Sequence, residues 1–153
     1  MTARMIEDRK EIDEILAKAL VGRLGASLRD RPYVVPINFV YHQGKIYFHS
    51  ALEGQMISYM KANNQVCFEV DESELVPNAS PCNFTFRYRS VIAFGKVRFL
   101  EDLTEKREVL SAMLQKYDRE KVAVNPIPQD NLRDVAVWEM ALESVTGKKN
   151  EVL

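Results

Sequence analysis

The sequence predicts a mainly β fold in which antiparallel strands form a closed or nearly closed barrel and helices pack outside it. Three observations support this prediction. Between residues 21 and 144, most segments alternate apolar and polar side chains at the period of a β-strand. The strands in the middle of the chain are long, and only three segments show the helical period. This proportion favours a barrel over a parallel sheet, in which helices and strands would alternate.

Length and composition indicate one domain over residues 1–153. A chain of 153 residues with 46% hydrophobic content is long enough for one well-buried core and too short to count on two. Its 21 basic and 22 acidic residues nearly cancel, which removes the usual electrostatic basis for nucleic-acid binding. The apolar runs are strand-sized, and no hydrophobic segment follows the first charges. We therefore expect a cytoplasmic protein with neither a nucleic-acid nor a membrane partner.

Six strands and three helices can be placed from the pattern. The strands are predicted over residues 21–28, 33–41, 45–50, 65–71, 84–100 and 134–144. The helices are predicted over residues 7–20 and 54–62, and in a segment capped by Asp102 or Thr104 whose apolar stripe is Leu110, Met113, Leu114 and Tyr117.

The connections between these elements carry further predictions. Residues 72–83 and 122–130 contain two prolines each and no periodicity, so both are predicted to be irregular. The long strand over residues 84–100 must bend, and Gly95 is the position that suits a bend. The polar tail over residues 146–150 could close over a bound ligand.

The hairpin over residues 33–50 has the most informative pattern. The odd positions from Tyr33 to Tyr41 are all large and apolar, while the even positions are mixed. Pro36 lies on the mixed face, and because proline cannot donate to a ladder it indicates an edge, a bulge or free backbone. The return strand ends in small polar residues directly before a helix, where backbone N–H groups can hold an anion.

Four segments occur along the chain in the order and at the spacing of a known protein family. They are VVPINFVY, IYFHSALEG, VCFEVD and YRSVIAFG. In these segments the chain resembles the flavin-binding split barrels related to pyridoxamine 5'-phosphate oxidase, and among them the group that includes the nitroimidazole-resistance proteins. The resemblance extends from the first helix to about residue 148. It implies an α+β fold with a six-stranded antiparallel split β-barrel and flanking helices. It also implies that FMN is bound at the interface of a homodimer.

The resemblance implies a flavin-ring site on the second and third strands, formed by Val35, Pro36, Ile37, Asn38, His49, Ser50 and Ala51. The chemistry of these residues is compatible with such a site. Asn38 places an amide on an otherwise apolar surface, and His49 and Ser50 offer hydrogen bonds beside a small side chain. However, a lone histidine on a strand is more often a satisfied or surface residue than a ligand, and Asn38 could simply end a ladder.

The phosphate of the flavin lacks an obvious anchor in the usual place. Related sequences carry a lysine or arginine just after the glycine of the HSA-x-x-G run, whereas here Gln55 and Met56 follow. Arg87 and Arg89 share a strand face and could make bidentate contacts, and Lys61 is a further candidate.

The alternative for Arg87 and Arg89 is a solvated barrel exterior. The resemblance favours Arg89 and Ser90 as phosphate ligands. It also matches Lys148 to a lysine that could approach the phosphate or the substrate side of the ring.

No protein nucleophile or metal site stands out. No GxSxG motif surrounds a serine, and two histidines with Cys67 and Cys82 lack metal-ligand spacing. Cys67 is expected to be a buried strand residue, Cys82 a loop residue, and Trp138 a core or dimer-interface residue.

We therefore expect the cofactor to carry the chemistry. The expected function is an FMN-dependent oxidoreductase acting on a small-molecule substrate, such as a nitroaromatic or another xenobiotic. A non-catalytic flavin or haem binder is the alternative. A barrel that only contacts other proteins is a third possibility.

Overall fold

One antiparallel sheet dominates the computed structural model, which describes residues 3–77, 85–123 and 126–150. The strands are β1 (Arg4–Ile6), β2 (Gly22–Leu28), β3 (Arg31–Ile37), β4 (Val40–His42), β5 (Lys45–Ser50), β6 (Gln65–Val76), β7 (Thr85–Phe99) and β8 (Ala136–Asn150). The helices are α1 (Arg9–Lys18), α2 (Gln55–Ala62), α3 (Leu103–Tyr117) and α4 (Gln129–Arg133). None of the helices in the described ranges combines the length and the apolar character needed to cross a bilayer.

The sheet closes on itself because one strand is broken in two. In hydrogen-bonding order the strands run β3-β2-β6-β7-β8-β5-β4, with β1 added to β8. The end strands β3 and β4 follow each other in the chain, and only Asn38 and Phe39 separate them. Six strand positions therefore form an antiparallel barrel, which confirms the predicted fold class. The sheet has eight strands in total because the predicted strand over residues 33–41 is divided and β1 was not predicted.

The main core fills the inside of the barrel. On β7, Val91, Ala93 and Val97 point inward and are buried, because alternate residues of a strand face opposite sides of the sheet. Fully buried side chains from the other elements complete this core, among them Ile15, Leu16, Leu24, Phe39, Phe48, Phe68 and Met140.

The opposite face of the sheet carries an exposed apolar strip. Val34, Phe94 and Ile92 are 61%, 53% and 40% exposed. Cross-strand pairing links Val34 through Gly25 and Cys67 to Phe94, so these residues lie side by side on four strands. Contiguous exposed apolar residues of this kind mark interaction surfaces. Cys67 is a half-buried free thiol within the strip, and burial raises its pKa and keeps it protonated at neutral pH.

A second apolar cluster lies outside the barrel, where α3 packs on β4, β5 and β8. Val109 and Met113 of α3 contact a group formed by Val40, Tyr47, Leu100 and Val137. Helix α3 begins as predicted at Asp102, whose carboxylate accepts a hydrogen bond from the backbone amide of Glu105 at 2.8 Å.

A buried carboxylate ties these elements together. Glu139 is 5% exposed and accepts hydrogen bonds from Tyr47 Oη at 3.1 Å and from two nitrogens of Arg98 at 2.9 Å each. Lys45 Nζ lies 3.1 Å from the same carboxylate. Burial acts to raise the pKa of Glu139, but the hydrogen bonds from Arg98, Lys45 and Tyr47 outweigh it and the pKa is lowered. The Glu139 carboxylate on β8 therefore links β5, through Tyr47 and Lys45, to β7, through Arg98.

Three predictions about connections were wrong. The first part of the predicted loop over residues 72–83 is strand, because β6 continues to Val76 and pairs with β7 as far as Thr85. The tail over residues 146–150 is the end of β8, paired with β1 and β7, and not a flap. Part of the predicted irregular stretch forms α4, since Pro128 starts a helix there. The predictions for Cys82 and Phe84 fall outside the described residues.

The predicted bend at Gly95 is confirmed. The pairing of β7 with β8 shifts register between Phe94 and Gly95, as at a β-bulge. A Cβ atom at Gly95 would lie 2.0 Å from the carbonyl oxygen of Ala141 on the neighbouring strand. Only glycine allows this close approach of two backbones.

Replacing Gly95 with alanine is expected to lower the free energy of unfolding by roughly 2–4 kcal/mol, because the new methyl group collides with backbone. The matched control is Gly25→Ala, where the nearest atom to the new Cβ is 3.6 Å away. That change is expected to shift the free energy of unfolding by less than about 1 kcal/mol. Urea denaturation of both variants measures the difference, and equal effects would contradict the bulge.

Candidate functional site

The break between β3 and β4 is held by α3. The ring of Phe39 is buried and packs edge-on against Phe68, with ring centroids 4.7 Å apart. Its backbone has no ladder partner and is bonded by two side chains of α3. The amide donates to Tyr117 Oη at 2.9 Å, and the carbonyl accepts from Lys116 Nζ at 2.9 Å. Asn38, directly before the break, is consequently exposed on the side that faces α3.

Both of these α3 side chains are affected by burial. The hydroxyl of Tyr117 also lies 2.8 Å from the carbonyl of Leu20 and 2.9 Å from that of Phe39. Burial raises the pKa of Tyr117, which keeps the hydroxyl protonated as a donor. Burial lowers the pKa of Lys116 to about 8. The ammonium lies 3.9 Å over the ring of Phe39, a cation–π contact that partly offsets the loss of water.

A cavity of about 680 Å³ opens beside the break. It lies between the end of β5, one side of α3 and the segment that leads through α4 into β8. Its lining residues are Asn38, His49, Leu110, Met113, Leu114, Tyr117, Ala123, Ile127, Pro128, Asn131 and Val135. The volume falls in the range of small-molecule sites. Two of the predicted cofactor residues, Asn38 from the strand break and His49 from β5, line this cavity together.

Ser50 and Ala51 follow His49 at the end of β5. The hydroxyl of Ser50 accepts a hydrogen bond from Trp138 Nε1 at 3.1 Å and donates to the carbonyl of Ala51 at 2.9 Å. Trp138 is buried in the core, where its ring packs edge-on against Phe99. The indole therefore positions the serine hydroxyl. Sequence analysis placed Trp138 only as a core or interface residue, because its pairing opposite Phe48 depends on register.

The remaining β3 candidates divide between the two faces of the sheet. Val35 and Ile37 are half-buried and pack against the main core. Pro36 is exposed on the outer face, opposite Arg23 of β2. Strand β3 has one ladder neighbour at these positions, so of the three predicted alternatives for Pro36, an edge, a bulge or free backbone, the structure shows the edge.

The predicted phosphate ligands lie elsewhere on the barrel. Arg89 Nη2 is 2.6 Å from a carboxylate oxygen of Glu72, and Arg89 Nη1 is 3.6 Å from Glu11. The hydrogen bond to Glu72 is the main cause of its raised pKa, and its charge is already matched. Ser90 and Lys148 are opposite each other in the β7–β8 ladder. Among the residues described, Lys148 is exposed and has no ion pair, so its ammonium is available to a ligand.

The two groups of candidates are far apart in one chain. His49 pairs with Val137 at one end of β8, and Lys148 lies eleven residues further along that strand. At the rise of a β-strand this is a path of about 36 Å. The structure therefore brings Asn38 and His49 to one cavity, with Ser50 and Ala51 next in the chain but outside its lining, and it places Ser90 and Lys148 together elsewhere.

The start of α2 carries no cation. Gly54 precedes the helix with a φ of 151°, a conformation that favours glycine, and Gln55 begins the helix. Lys61 is exposed in the last turn of α2. The position for which the resemblance predicts a basic residue is thus occupied by an uncharged side chain.

The chain is similar to known proteins over nearly its whole length. The family model described as pyridoxamine 5'-phosphate oxidase matches residues 8–149. The crystal structure of a candidate 5-nitroimidazole antibiotic resistance protein from Bacteroides thetaiotaomicron is 33% identical. It superimposes with a TM-score of 0.83, over 96% of this chain and 87% of that one.

Two more distant structures share the fold. A FAD-binding protein from Mesorhizobium loti is 23% identical, with a TM-score of 0.73 over 99% of this chain and 100% of that one. A FAD and haem binding protein from Mycobacterium smegmatis is 17% identical, with a TM-score of 0.81 over 97% of this chain and 74% of that one.

Replacing Tyr117 with phenylalanine is expected to lower the free energy of unfolding by about 1–3 kcal/mol, because it leaves the amide of Phe39 without its acceptor. Tyr41→Phe is the matched control. Its hydroxyl bonds only Arg9 and Asp13 near the surface, and its loss is expected to cost less than about 0.5 kcal/mol. Urea denaturation of both variants tests this, and a Tyr117→Phe effect no larger than the control would show that the break does not need α3.

The lowered pKa of Lys116 predicts a pH dependence of stability. Between about pH 8 and the ordinary lysine pKa near 10.4, the unfolded chain binds the proton that the folded chain has lost, so stability rises with pH. Lys116→Met is expected to remove this rise. Denaturation of both proteins between pH 7 and pH 9.5 measures it. The raised pKa of Cys67 opposes the rise in this window equally in both proteins, and the raised pKa values of Tyr47 and Tyr117 act only above about pH 10. Parallel curves for the two proteins would contradict the assignment.

Proposed function

Because the chain belongs to the pyridoxamine 5'-phosphate oxidase family, we propose that it is a cytoplasmic, flavin-dependent oxidoreductase that holds FMN between two identical subunits. The observation that carries this proposal is the cavity of about 680 Å³ at which Asn38 and His49 meet. It combines hydrogen-bonding groups, among them Asn38 and His49, with apolar walls, which is what a site for a flat heteroaromatic ring and a small substrate beside it requires. The substrate would be a small molecule such as a nitroaromatic.

The residues at the cavity fit a flavin ring. Asn38 offers an amide and His49 an imidazole from the lining itself. Ser50, next to His49 at the end of β5, retains a free lone pair on its hydroxyl beside small Ala51 but does not line the cavity. When bound, FMN supplies reversible hydride transfer at its N5 position. The role of the chain is then to orient the ring through these hydrogen bonds and to keep water from its buried face with α3.

The proposed homodimer follows from the separation of the two candidate groups. Ser90 and Lys148 lie on the outer face of the sheet, one ladder step from Ile92 of the apolar strip. A second subunit that covers the strip would bury exposed apolar surface, which favours association. It would also bring its own Lys148 and Ser90 toward a cofactor held by Asn38 and His49 of the first subunit.

The comparisons support the parts of this proposal to different degrees. The relative at 33% identity supports a nitroaromatic substrate, since it is described as a 5-nitroimidazole antibiotic resistance protein. The FAD-binding and haem-binding structures show only that this fold can hold such cofactors. A cytoplasmic location is supported by the free thiol at Cys67, because exposed or half-buried thiols persist where the environment is reducing.

A non-catalytic flavin or haem binder is the second candidate. It is favoured by the uncharged Gln55 at the start of α2 and by the neutralised Arg89, both of which weaken the expected hold on a phosphate. Exposed His49 could ligate a haem iron. Turnover with NADH or NADPH and an electron acceptor distinguishes the two functions. Bound cofactor that persists without turnover would favour the binder.

The protein is expected to purify with the absorption bands of oxidised flavin, which bleach on reduction, and mass spectrometry of the released cofactor should identify FMN. A colourless protein that fails to take up added FMN would contradict the proposal. His49→Ala and Lys148→Glu are each expected to weaken FMN binding at least about tenfold. Lys10→Glu, an exposed change on α1, is the control and should leave binding unchanged.

Mixing the two weakened variants tests the shared site. After the subunits exchange, a mixed dimer contains one site with both His49 and Lys148 intact. About one quarter of all sites should then bind FMN normally. No recovery on mixing, although subunits exchange, would mean that the two residues do not serve one cofactor from two subunits.

A further inference from the structure

The cavity beside the strand break has no formal charge in its walls. Among the described residues that line it, none carries a carboxylate, an ammonium or a guanidinium group. Its walls are the aliphatic side chains Leu110, Leu114, Ile127, Pro128 and Val135. Asn38, His49 and Asn131 provide hydrogen-bonding groups at the edge. The side chain of Tyr117 adds little polarity, since its hydroxyl is already bonded to backbone.

Helix α3 carries two lysines that could have supplied a cation, and both are bonded to backbone carbonyls instead. Lys106 is 5% exposed, and its Nζ donates to the carbonyls of Leu132 at 2.8 Å and Val135 at 2.9 Å. Lys116 donates to the carbonyl of Phe39 at 2.9 Å. The first bond fixes the end of α4, which is one wall of the cavity, and the second fixes the strand break. Both ammonium groups thus stabilise the surroundings of the cavity, and neither lines it.

We propose that this cavity binds an uncharged, largely apolar part of the substrate and excludes groups such as phosphate, sulfonate or carboxylate. An anion placed there would lose its water and gain no cation in exchange, which is strongly unfavourable. An apolar group would fill the poorly hydrated space of the cavity and bury its own apolar surface there, which is favourable. The inference rests on the proposed function only in placing the flavin at the edge formed by Asn38 and His49.

One consequence concerns the reaction after which the family is named. A substrate that carries a phosphate ester, as pyridoxamine 5'-phosphate does, needs a cationic subsite for that group. The cavity offers none among its described lining residues. The part of the substrate that the cavity holds is therefore neutral, and Asn38, His49 and Asn131 are the groups that can select for a single polar substituent on it.

The test uses two fluorescent probes with the same ring system, uncharged N-phenyl-1-naphthylamine and anionic 8-anilinonaphthalene-1-sulfonate. Each is titrated into the protein as purified. The uncharged probe is expected to bind at least about tenfold more tightly, because only the sulfonate must be desolvated without a counter-charge. Equal binding, or tighter binding of the sulfonate, would overturn the proposal.

Variants locate the probe. Leu114→Arg adds a cation to the wall of the cavity. It is expected to weaken binding of the uncharged probe and to strengthen binding of the sulfonate probe, each several-fold. Gln115→Arg adds the same charge to the next, exposed position of α3 and should change neither affinity. Ile127→Lys, on a loop where folding is less at risk, should reproduce the effect of Leu114→Arg. Affinities unchanged by both cavity variants would place the probe elsewhere and overturn the proposal.

The flavin spectrum separates this inference from the proposed function. A colourless protein that still prefers the uncharged probe in a manner sensitive to Leu114→Arg would refute the flavin function and leave the apolar site standing. A yellow protein that shows no preference between the probes would refute the apolar site and leave the flavin function standing.

Discussion

The break at Asn38 and Phe39 is the constraint on which the rest of the structure depends. A continuous strand there would pair along its whole length and leave no backbone for α3 to bind. Instead, Tyr117 and Lys116 satisfy the amide and the carbonyl of Phe39. Their bonds fix α3 to the barrel beside the cavity, while Phe39 itself stays anchored in the core against Phe68. Buried backbone groups must find partners, so barrel closure, helix position and cavity shape follow from one pair of side chains.

Most of the charged side chains described above bond other protein groups, so they stabilise the fold and are not free to bind a ligand. Glu139, Lys106, Lys116 and Arg89 are each matched by a protein partner, and buried charges are tolerated only when they are so matched. The result is a cavity whose walls are apolar and whose polar groups are neutral amides and an imidazole. A cofactor with a phosphate has to reach beyond this region for its cation, and exposed Lys148 lies on a different part of the barrel. The chemistry of the site therefore argues for two subunits acting together.

Local pattern was enough to predict most of the fold. Alternation located every long strand, β5 to its exact ends, and the lone glycine in the longest strand marked its bulge. What sequence analysis missed depends on distant partners. The break at Phe39 has its bonding groups 78 residues away on α3, so Pro36 and Asn38 could indicate an interrupted ladder but not the partners that hold it. The same holds for Arg89, whose carboxylate partner is on another strand, and for Ser50, whose hydroxyl is positioned by the indole of Trp138. Apolar periodicity in α3 was recognised, but only the packing of the helix shows that Leu110, Met113 and Leu114 line a cavity.

The long-range bond between Phe39 and Tyr117 also sets an order of events during synthesis. Elements near the N-terminus leave the ribosome first, and hairpins of nearby residues can pair as soon as both strands are available. The cavity beside Asn38 is different, because it has no outer wall until α3 and then α4 have been translated and docked. Completion of the site therefore waits until α3 and α4 have been translated, and a chain truncated before residue 117 would lack the site even if its early strands had paired.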